Sequence, residues 1–276
     1  MRILICGDVV GRSGRRVVID RLPFLRREMQ LDFVVVNGEN AAGGFGITPK
    51  ICDQFFAAGT DVITTGNHVW DQKEIRPHFA QEPRLMRPHN YPDSTPGTGV
   101  STFEDVEGRK VLVLHFMANL FMTPLDDPFE GIEKVMLDYR MGRNADAIIL
   151  DFHGEATSEK MAMGNMLDGR VSAVVGTHSH VPTADAQVLP KGTAYISDIG
   201  MCGDYDSVIG MKKDASISRF RNNSGGPRLE AAMGEATLCA VLVETDDETG
   251  LANRVSPVRL GGRLAEESPD WAQAAS

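Results

Sequence analysis

F-V-V-V-N-G-E-N, residues 33–40, carries an apolar run through Asn37 into Gly38 and then presents two polar side chains, Glu39 and Asn40. R-I-L-I-C-G-D (2–8) does the same and ends on Asp8, and D-V-I-T-T-G-N-H (61–68) ends on Asn67 and His68. The three runs are continuous rather than alternating, the pattern of strands covered on both faces. Between the second and third, T-P-K-I-C-D-Q-F-F-A-A-G (48–59) reads as a helix. Thr48 is the cap, Pro49 suits the first helical position, Ile51, Phe55 and Phe56 share a face, and Gly59 terminates it. Segment 14–30 is also expected to be helical, with Pro23 kinking or dividing it. The first seventy or so residues therefore predict β-α-β-α-β with parallel strands.

Downstream the pattern changes. Segments 99–106 and 110–116, separated by E-G-R, predict a hairpin, and A-I-I-L-D-F-H (147–153) a buried strand. A helix over 157–167 is expected, capped by Thr157 or Ser158, followed by strands at 171–175, 186–189, 193–197, 236–245 and 252–260. Residues 1–263 read as one domain, within which the Met-rich segment 117–144 suits a small lid or an oligomer contact. S-G-G-P-R (224–228) reads as a loop and 264–276 as a polar tail. Met117, Met122, Met136, Met141, Met161, Met163 and Met166 are expected to fill core gaps or an interface.

Composition removes whole classes of function. The chain has 28 Lys+Arg against 38 Asp+Glu, a formal charge of −10, which argues against a broad basic face for duplex nucleic acid. No apolar run approaches the ~20 residues of a membrane helix. The N-terminal apolar stretch meets Asp8 too early for a signal peptide. Cys6, Cys52, Cys202 and Cys239 are scattered without a C-x-x-C pair, as expected of buried thiols in a reducing, cytoplasmic setting.

The chemistry-bearing residues sit at strand ends: Asp8, Glu39 with Asn40, Asn67 with His68, His153, and His178 with His180 after V-S-A-V-V-G-T. In a parallel sheet those ends share one edge, where loops build a site. Carboxylates, imidazoles and amide oxygens form a mixed hard and borderline donor set, suited to Mn, Fe or Zn rather than calcium. A bridging carboxylate holds two ions about 4 Å apart and clamps a phosphate between them. H-S-H (178–180) suits such a site if the segment is extended, because alternate side chains then point the same way.

The motifs G-D (7–8), G-E-N (38–40), G-N-H (66–68), H-G-E (153–155) and G-T-H-S-H (176–180) resemble the calcineurin-like metallophosphoesterases. G-D-V-V-G-R-S-G-R, V-N-G-E-N-A-A-G-G-F-G-I-T, T-G-N-H-V-W-D-Q-K-E-I, R-P-H-N-Y-P, F-H-G-E-A-T-S-E-K, V-G-T-H-S-H-V-P-T-A-D-A-Q-V-L-P and Y-I-S-D-I-G-M-C-G resemble the YmdB-like phosphodiesterase branch, from the first strand to about residue 215. The resemblance implies an α/β fold, a β-sandwich flanked by helices in αββα layers. It also implies two divalent or trivalent metal ions, Fe or Mn foremost and Zn or Mg as alternatives. Asp8 and His180 are then expected on one ion, Asn67, His153 and His178 on the other, and Glu39 between them. Val10 stands where the superfamily places a histidine ligand. Asn40 is the candidate to fill that gap, or else an amide that orients Glu39. His68 takes the role of general acid or transition-state stabiliser.

Two further residues are substrate candidates: Arg12, for a phosphate contact, and Phe45, for stacking on a base. His115 reads as a satisfied core residue, His78 as exposed, and His89 has no evident role. The implied activity is hydrolysis of cyclic nucleotides by a metal-activated hydroxide, 2′,3′-cyclic ones in particular with 3′,5′-cyclic ones as the secondary class, in a homo-oligomer. Rival readings are a phosphatase or RNase on the same site, or a signalling or scaffold protein with structural metals. An RNase calls for a basic track interleaved with aromatics, and no such run is present in the sequence. Two divalent ions would add about +4 to the cleft, which reconciles the acidic chain with an anionic substrate.

Overall fold

The computed structural model describes residues 1–221 and 226–269. In chain order its elements are β1 (Arg2–Cys6), β2 (Asp8–Val9), α1 (Gly11–Glu28), β3 (Phe33–Asn37), α2 (Pro49–Ala57), β4 (Val62–Thr64) and α3 (Ile75–His78). Then come β5 (Val100–Glu104), β6 (Lys110–Met117), α4 (Pro128–Val135), β7 (Ala147–His153), α5 (Thr157–Leu167) and β8 (Ala173–Thr177). The last are β9 (Gln187–Val188), β10 (Ala194–Ile196), β11 (Met201–Asp204), α6 (Lys213–Arg221), β12 (Ala236–Thr245) and β13 (Ala252–Leu260).

Two sheets stack face to face. One runs β2-β11-β12-β1-β3-β4 with β13 paired to β12, and the other runs β5-β6-β7-β8-β10-β9. As expected, β1, β3 and β4 are parallel, and β5 and β6 form an antiparallel hairpin. In the second sheet β6, β7, β8 and β10 are parallel.

The continuous apolar runs are explained by burial on both faces. Ile3, Ile5, Phe33 and Val35 point into the layer between the sheets and meet Val111, Val113, Ile149 and Val175 from the other side. Their neighbours Leu4, Cys6, Val34 and Val36 point outward beneath α1 and α2, against Val18, Leu22, Leu25, Ile51 and Phe55. On the far side Leu112, Leu114, Ile148, Leu150 and Phe152 lie beneath α4 and α5, against Ile132, Met163 and Leu167. The layers are therefore αββα.

Several local expectations hold. Thr48 caps α2 by accepting from the Ile51 N–H, and Pro49 opens that helix. All four cysteines are buried free thiols. His115 is fully buried and satisfied, accepting at Nε2 from the Thr65 N–H and bonded at Nδ1 to the Asp151 carbonyl. Among the described residues no helix is long and apolar enough to cross a membrane.

Others do not. Pro23 neither divides nor ends α1, which is continuous from Gly11 to Glu28. A mid-helix proline costs about 3 kcal/mol, but burying Val18, Leu22 and Leu25 returns roughly 1.5–3 kcal/mol each. α5 begins after Ala156 without a side-chain cap, so neither Thr157 nor Ser158 serves as one. His78 is half-buried rather than exposed, and its Nε2 is buried without a partner. The methionines divide: Met117, Met136 and Met163 are buried, whereas Met161 is 46% exposed. Strands β2 and β11 and helices α3, α4 and α6 have no counterpart in the sequence reading.

Segment 117–144 contains α4, whose Ile132 packs into the outer layer, while Phe121 and Leu137 stand exposed. The expected loop 224–228 and tail 264–276 lie partly outside the described residues. Within the tail, Glu267 bridges back antiparallel to Arg259.

Candidate metal centre

The parallel strands of both sheets deliver their C-terminal ends to one place. The first sheet brings Asp8, Glu39 with Asn40, and Asn67 with His68; the second brings His153, His178 and His180. Asp8, Glu39 and His153 are at most 1% exposed, and His180 is 5% exposed. Ligating atoms of Glu39, His153 and His178 lie mutually within 4.8 Å, as do those of Asp8, Glu39 and His180. Glu39 belongs to both groups.

The two histidine rings have assignable tautomers. His180 Nδ1 lies 2.8 Å from the Ile209 carbonyl, which only accepts, so Nδ1 carries the proton. Its Nε2 then faces Asn40 Oδ1 at 3.1 Å, while Asn40 Nδ2 donates to the Gly44 carbonyl. His153 Nδ1 lies 2.9 Å from Thr177 Oγ1, whose own proton goes to Asp151 Oδ1 at 2.7 Å. His153 Nδ1 is therefore the donor. Its Nε2 faces Asn67 Oδ1 at 3.0 Å, His178 Nδ1 at 3.2 Å and Glu39 Oε2 at 3.3 Å.

Acceptors thus face acceptors in both halves of the site, an arrangement that calls for a proton or a cation between them. Asp8 Oδ1 is buried with no hydrogen-bond partner, its nearest donor being His153 Nδ1 at 3.7 Å, beyond hydrogen-bond reach. The absent side chain of Gly66 leaves the space beside Glu39 Oε2 and His153 Nε2, where any Cβ would collide with both. The donor set, the orphaned oxygen and this cradle all fit metal ions.

Electrostatics agree. Burial raises the Asp8 carboxyl to about 6, against the pull of His180 and His153. Burial also disfavours the Glu39 carboxylate, but His153, His68 and His178 outweigh it and hold Glu39 well below the usual carboxylate range. Burial lowers His153, yet Glu39 and Asp8 prevail and raise the imidazole to about 9. His178 is pushed down to about 3 by burial and by neighbouring His153, which leaves it neutral and free to ligate.

Contrary to the strand-like spacing, H-S-H is not extended: β8 ends at Thr177, and His178 and His180 adopt left-handed φ of 97° and 66°. They reach the site through a tight turn, held where the His178 N–H donates to Asp8 Oδ2 and the Ser179 N–H to Asp198 Oδ2. Asp198 is in turn bonded to buried Lys160, which also donates to the Thr177 carbonyl. The strand-alternation rule therefore does not explain the two rings.

His68 stands at the rim, 30% exposed at its side chain, with Nδ1 2.8 Å from Asp71 Oδ2 and its backbone N–H donating to Glu39 Oε2. The Phe45 ring meets the His68 ring edge-on at 5.1 Å between centroids. Arg12 is exposed in the first turn of α1, on a surface cavity that Phe45 also lines.

The groups that support these residues, Asp71, Asp151, Thr177, Lys160 and Asp198, were not expected from the sequence. Asp151 carried a visible signal, a lone carboxylate inside the apolar run A-I-I-L-D-F-H. It accepts from Thr64, Thr177 and Asn37. Asn37 Oδ1 in turn accepts the Glu39 N–H.

An αββα sandwich with carboxylates and imidazoles gathered at its strand ends is the calcineurin-like metallophosphoesterase fold, and the protein is an enzyme of that class. Such enzymes use divalent metal ions. Residues 4–258 match the YmdB-like protein family, and the chain belongs to it. It is 45% identical over 260 residues to the 2′,3′-cyclic-nucleotide 2′-phosphodiesterase of Bacillus subtilis, covering 94% of this chain and 97% of that one. A crystal structure described as a novel phosphatase from Mycoplasma pneumoniae superposes with a TM-score of 0.86 at 33% identity, covering 99% of this chain and 96% of the other. A hypothetical protein from Thermus thermophilus superposes with a TM-score of 0.88 at 41% identity, covering 95% and 100%.

Proposed function

We propose that this chain is a phosphodiesterase that opens 2′,3′-cyclic nucleotides at a two-metal centre. The observation that carries the reading is the convergence of two acceptor-lined half-sites on one buried carboxylate, Glu39, beside the orphaned Asp8 Oδ1. Asp8, Asn40 and His180 would hold one ion and Asn67, His153 and His178 the other, with Glu39 within reach of both. The B. subtilis relative, named for 2′,3′-cyclic nucleotides, supports the substrate class. Fe or Mn suits the mixed oxygen and imidazole donors.

When bound, the ions supply the positive charge that polarises the phosphate and activates water. The chain supplies the rest. Thr177 and the Ile209 carbonyl hold His153 and His180 as Nδ1–H tautomers, so that both Nε2 atoms face inward. His68, at the rim, carries its proton toward the departing ribose oxygen, with its Nδ1 held 2.8 Å from Asp71 Oδ2 to orient the ring.

The test is hydrolysis of 2′,3′-cyclic AMP, its 3′,5′ isomer and a phosphomonoester by the purified enzyme loaded with Mn or Fe. Loss of 2′,3′-cyclic hydrolysis on chelation and in Glu39→Gln, with recovery on adding metal, is expected. Cleavage indifferent to both would refute the two-metal reading, and preference for the monoester would favour the phosphatase alternative.

A further inference from the structure

Two cavities lie outside the cluster of metal-directed side chains and adjoin one another. The smaller, about 330 Å³, is lined by Phe45 and Gln72 and by Arg12, Lys212 and Arg228, with Glu230 its only carboxylate among the described residues. The larger, about 640 Å³, is lined by Arg12, Arg16 and Arg21, with Asp20 and Glu235. Arg12 and Met233 line both, so they stand between the two cavities.

Three observations point to a ligand. Five cations face three carboxylates across the two cavities, with Arg16 paired to Asp20, an excess of positive charge in a chain whose net charge is −10. Arg12 has no hydrogen-bond or ion-pair partner among the described residues, and Glu230 is the single carboxylate facing both Lys212, which it pairs, and Arg228, which it attracts without an ion-pair contact. Phe45 joins the cleft to the site: its ring meets His68, and its backbone carbonyl accepts from Gln72 Nε2, another cleft residue.

A cyclic mononucleotide has a single phosphate, which the metal centre takes. It leaves nothing anionic for three cations beyond Phe45. We propose that the cleft binds a second phosphate, on the 5′ side of the nucleotide whose cyclic phosphate is opened, so that the preferred substrate is an oligoribonucleotide ending in a 2′,3′-cyclic phosphate. Phe45 then supports the terminal base, Arg12, Lys212 and Arg228 meet the preceding phosphate, and Arg16 and Arg21 lie on the path of the chain beyond. Guanidinium groups suit this role because they pair bidentately with phosphate oxygens. A cationic groove with an aromatic platform is how single strands are held without base readout. The proposal rests on the phosphodiesterase reading above. It escapes a linear scan because the cations come from α1, the turn before α6 and the loop at 228, which only the fold brings together.

A 5′-phosphorylated cyclic mononucleotide offers the same chemistry, and the experiment separates the two sources. Values of kcat/KM are measured for 2′,3′-cyclic AMP, its 5′-phosphate, and a dinucleotide and tetranucleotide ending in 2′,3′-cyclic phosphate. A preference of tenfold or more for the oligonucleotides over cyclic AMP is expected, through KM, with a log–log salt slope steeper by about 1 per phosphate engaged. Arg228→Gln should cut that preference ratio about tenfold. Equal kcat/KM for all four substrates, or a ratio that Arg228→Gln leaves intact, overturns the proposal. A preference confined to the 5′-phosphorylated mononucleotide rejects the RNA end. If no cyclic phosphate is opened at all, the phosphodiesterase reading has failed rather than the cleft. Anisotropy of a fluorescent tetranucleotide with a 3′-phosphate then decides the cleft alone: binding weakened tenfold by Arg228→Gln supports it, and no binding at low salt refutes it.

Discussion

Thr177→Val tests whether the metal centre is held from behind. Valine keeps the shape of threonine but removes Oγ1, which accepts from His153 Nδ1 at 2.9 Å and donates to Asp151 Oδ1 at 2.7 Å. His153 and Asp151 are both at most 1% exposed, so water cannot replace the lost partner. An unsatisfied buried polar group costs about 1–3 kcal/mol. Asp151 keeps its bonds from Thr64 and Asn37, so the two losses together amount to about 2–4 kcal/mol. For a chain of this length that lowers Tm by about 4–8 °C. With no acceptor behind it, the ring is free to rotate or change tautomer, and affinity for metal should fall about 10–100-fold. Competition between the enzyme and a chromophoric chelator for Mn²⁺ reads the affinity, and calorimetry of the chelated protein reads Tm. Thr177→Ser, which restores the hydroxyl, should recover most of both. A valine variant with wild-type Tm and wild-type Mn²⁺ affinity would show that Asp151 and Thr177 do not orient His153.

Gly66→Ala pushes a methyl group between Glu39 Oε2 and His153 Nε2 and should lower both metal content and kcat at least a hundredfold, while far-UV circular dichroism stays native; full occupancy by elemental analysis would contradict the proposed site. His68→Ala should cost about 10²–10⁴ in kcat without loss of metal. The deficit should shrink on a bis-aryl diester with a good leaving group, and an undiminished deficit would argue against a proton role. If His153 is a ligand as proposed, metal displaces the proton that Glu39 and Asp8 hold on it up to about pH 9, so binding at pH 7 should release protons and tighten as pH rises. Titration calorimetry in buffers of different ionisation enthalpy checks this, and a buffer-independent heat would contradict it. In the metal-free chain the sign reverses for stability. The His153 pKa is raised on folding, so its contribution is full below about 6.5 and is lost as pH climbs through 9, which denaturant titrations across that window should show as a falling midpoint.

Much of the architecture was legible because burial leaves a periodic trace. R-I-L-I-C, F-V-V-V and A-I-I-L-D-F-H are apolar on both faces because both faces are covered, and the polar residue that ends each run marks the sheet edge. What escaped were features set by long-range compensation. Pro23 is tolerated because the buried face of α1 outweighs its local penalty. α5 forms without a side-chain cap because Met163 and Leu167 pack beneath it. β11, only Met201–Asp204, exists because β12 and β2 supply its partners.

The candidate site divides along the same line. Asp8, Glu39, Asn40, Asn67, His153, His178 and His180 could be named from local order, since each closes a strand or lies within three residues of its end. Their tautomers, the left-handed turn that carries His178 and His180, and the support from Asp151, Thr177 and Asp198 could not. Those depend on atoms more than twenty residues apart in most pairs, such as Thr64 with Asp151 or Asn40 with His180. The chain alone states which groups are available at the strand ends, because periodicity is a local property of a polymer. Which lone pair of each group faces inward, and that Arg12, Lys212 and Arg228 share one cleft, was decided only by packing the two sheets together.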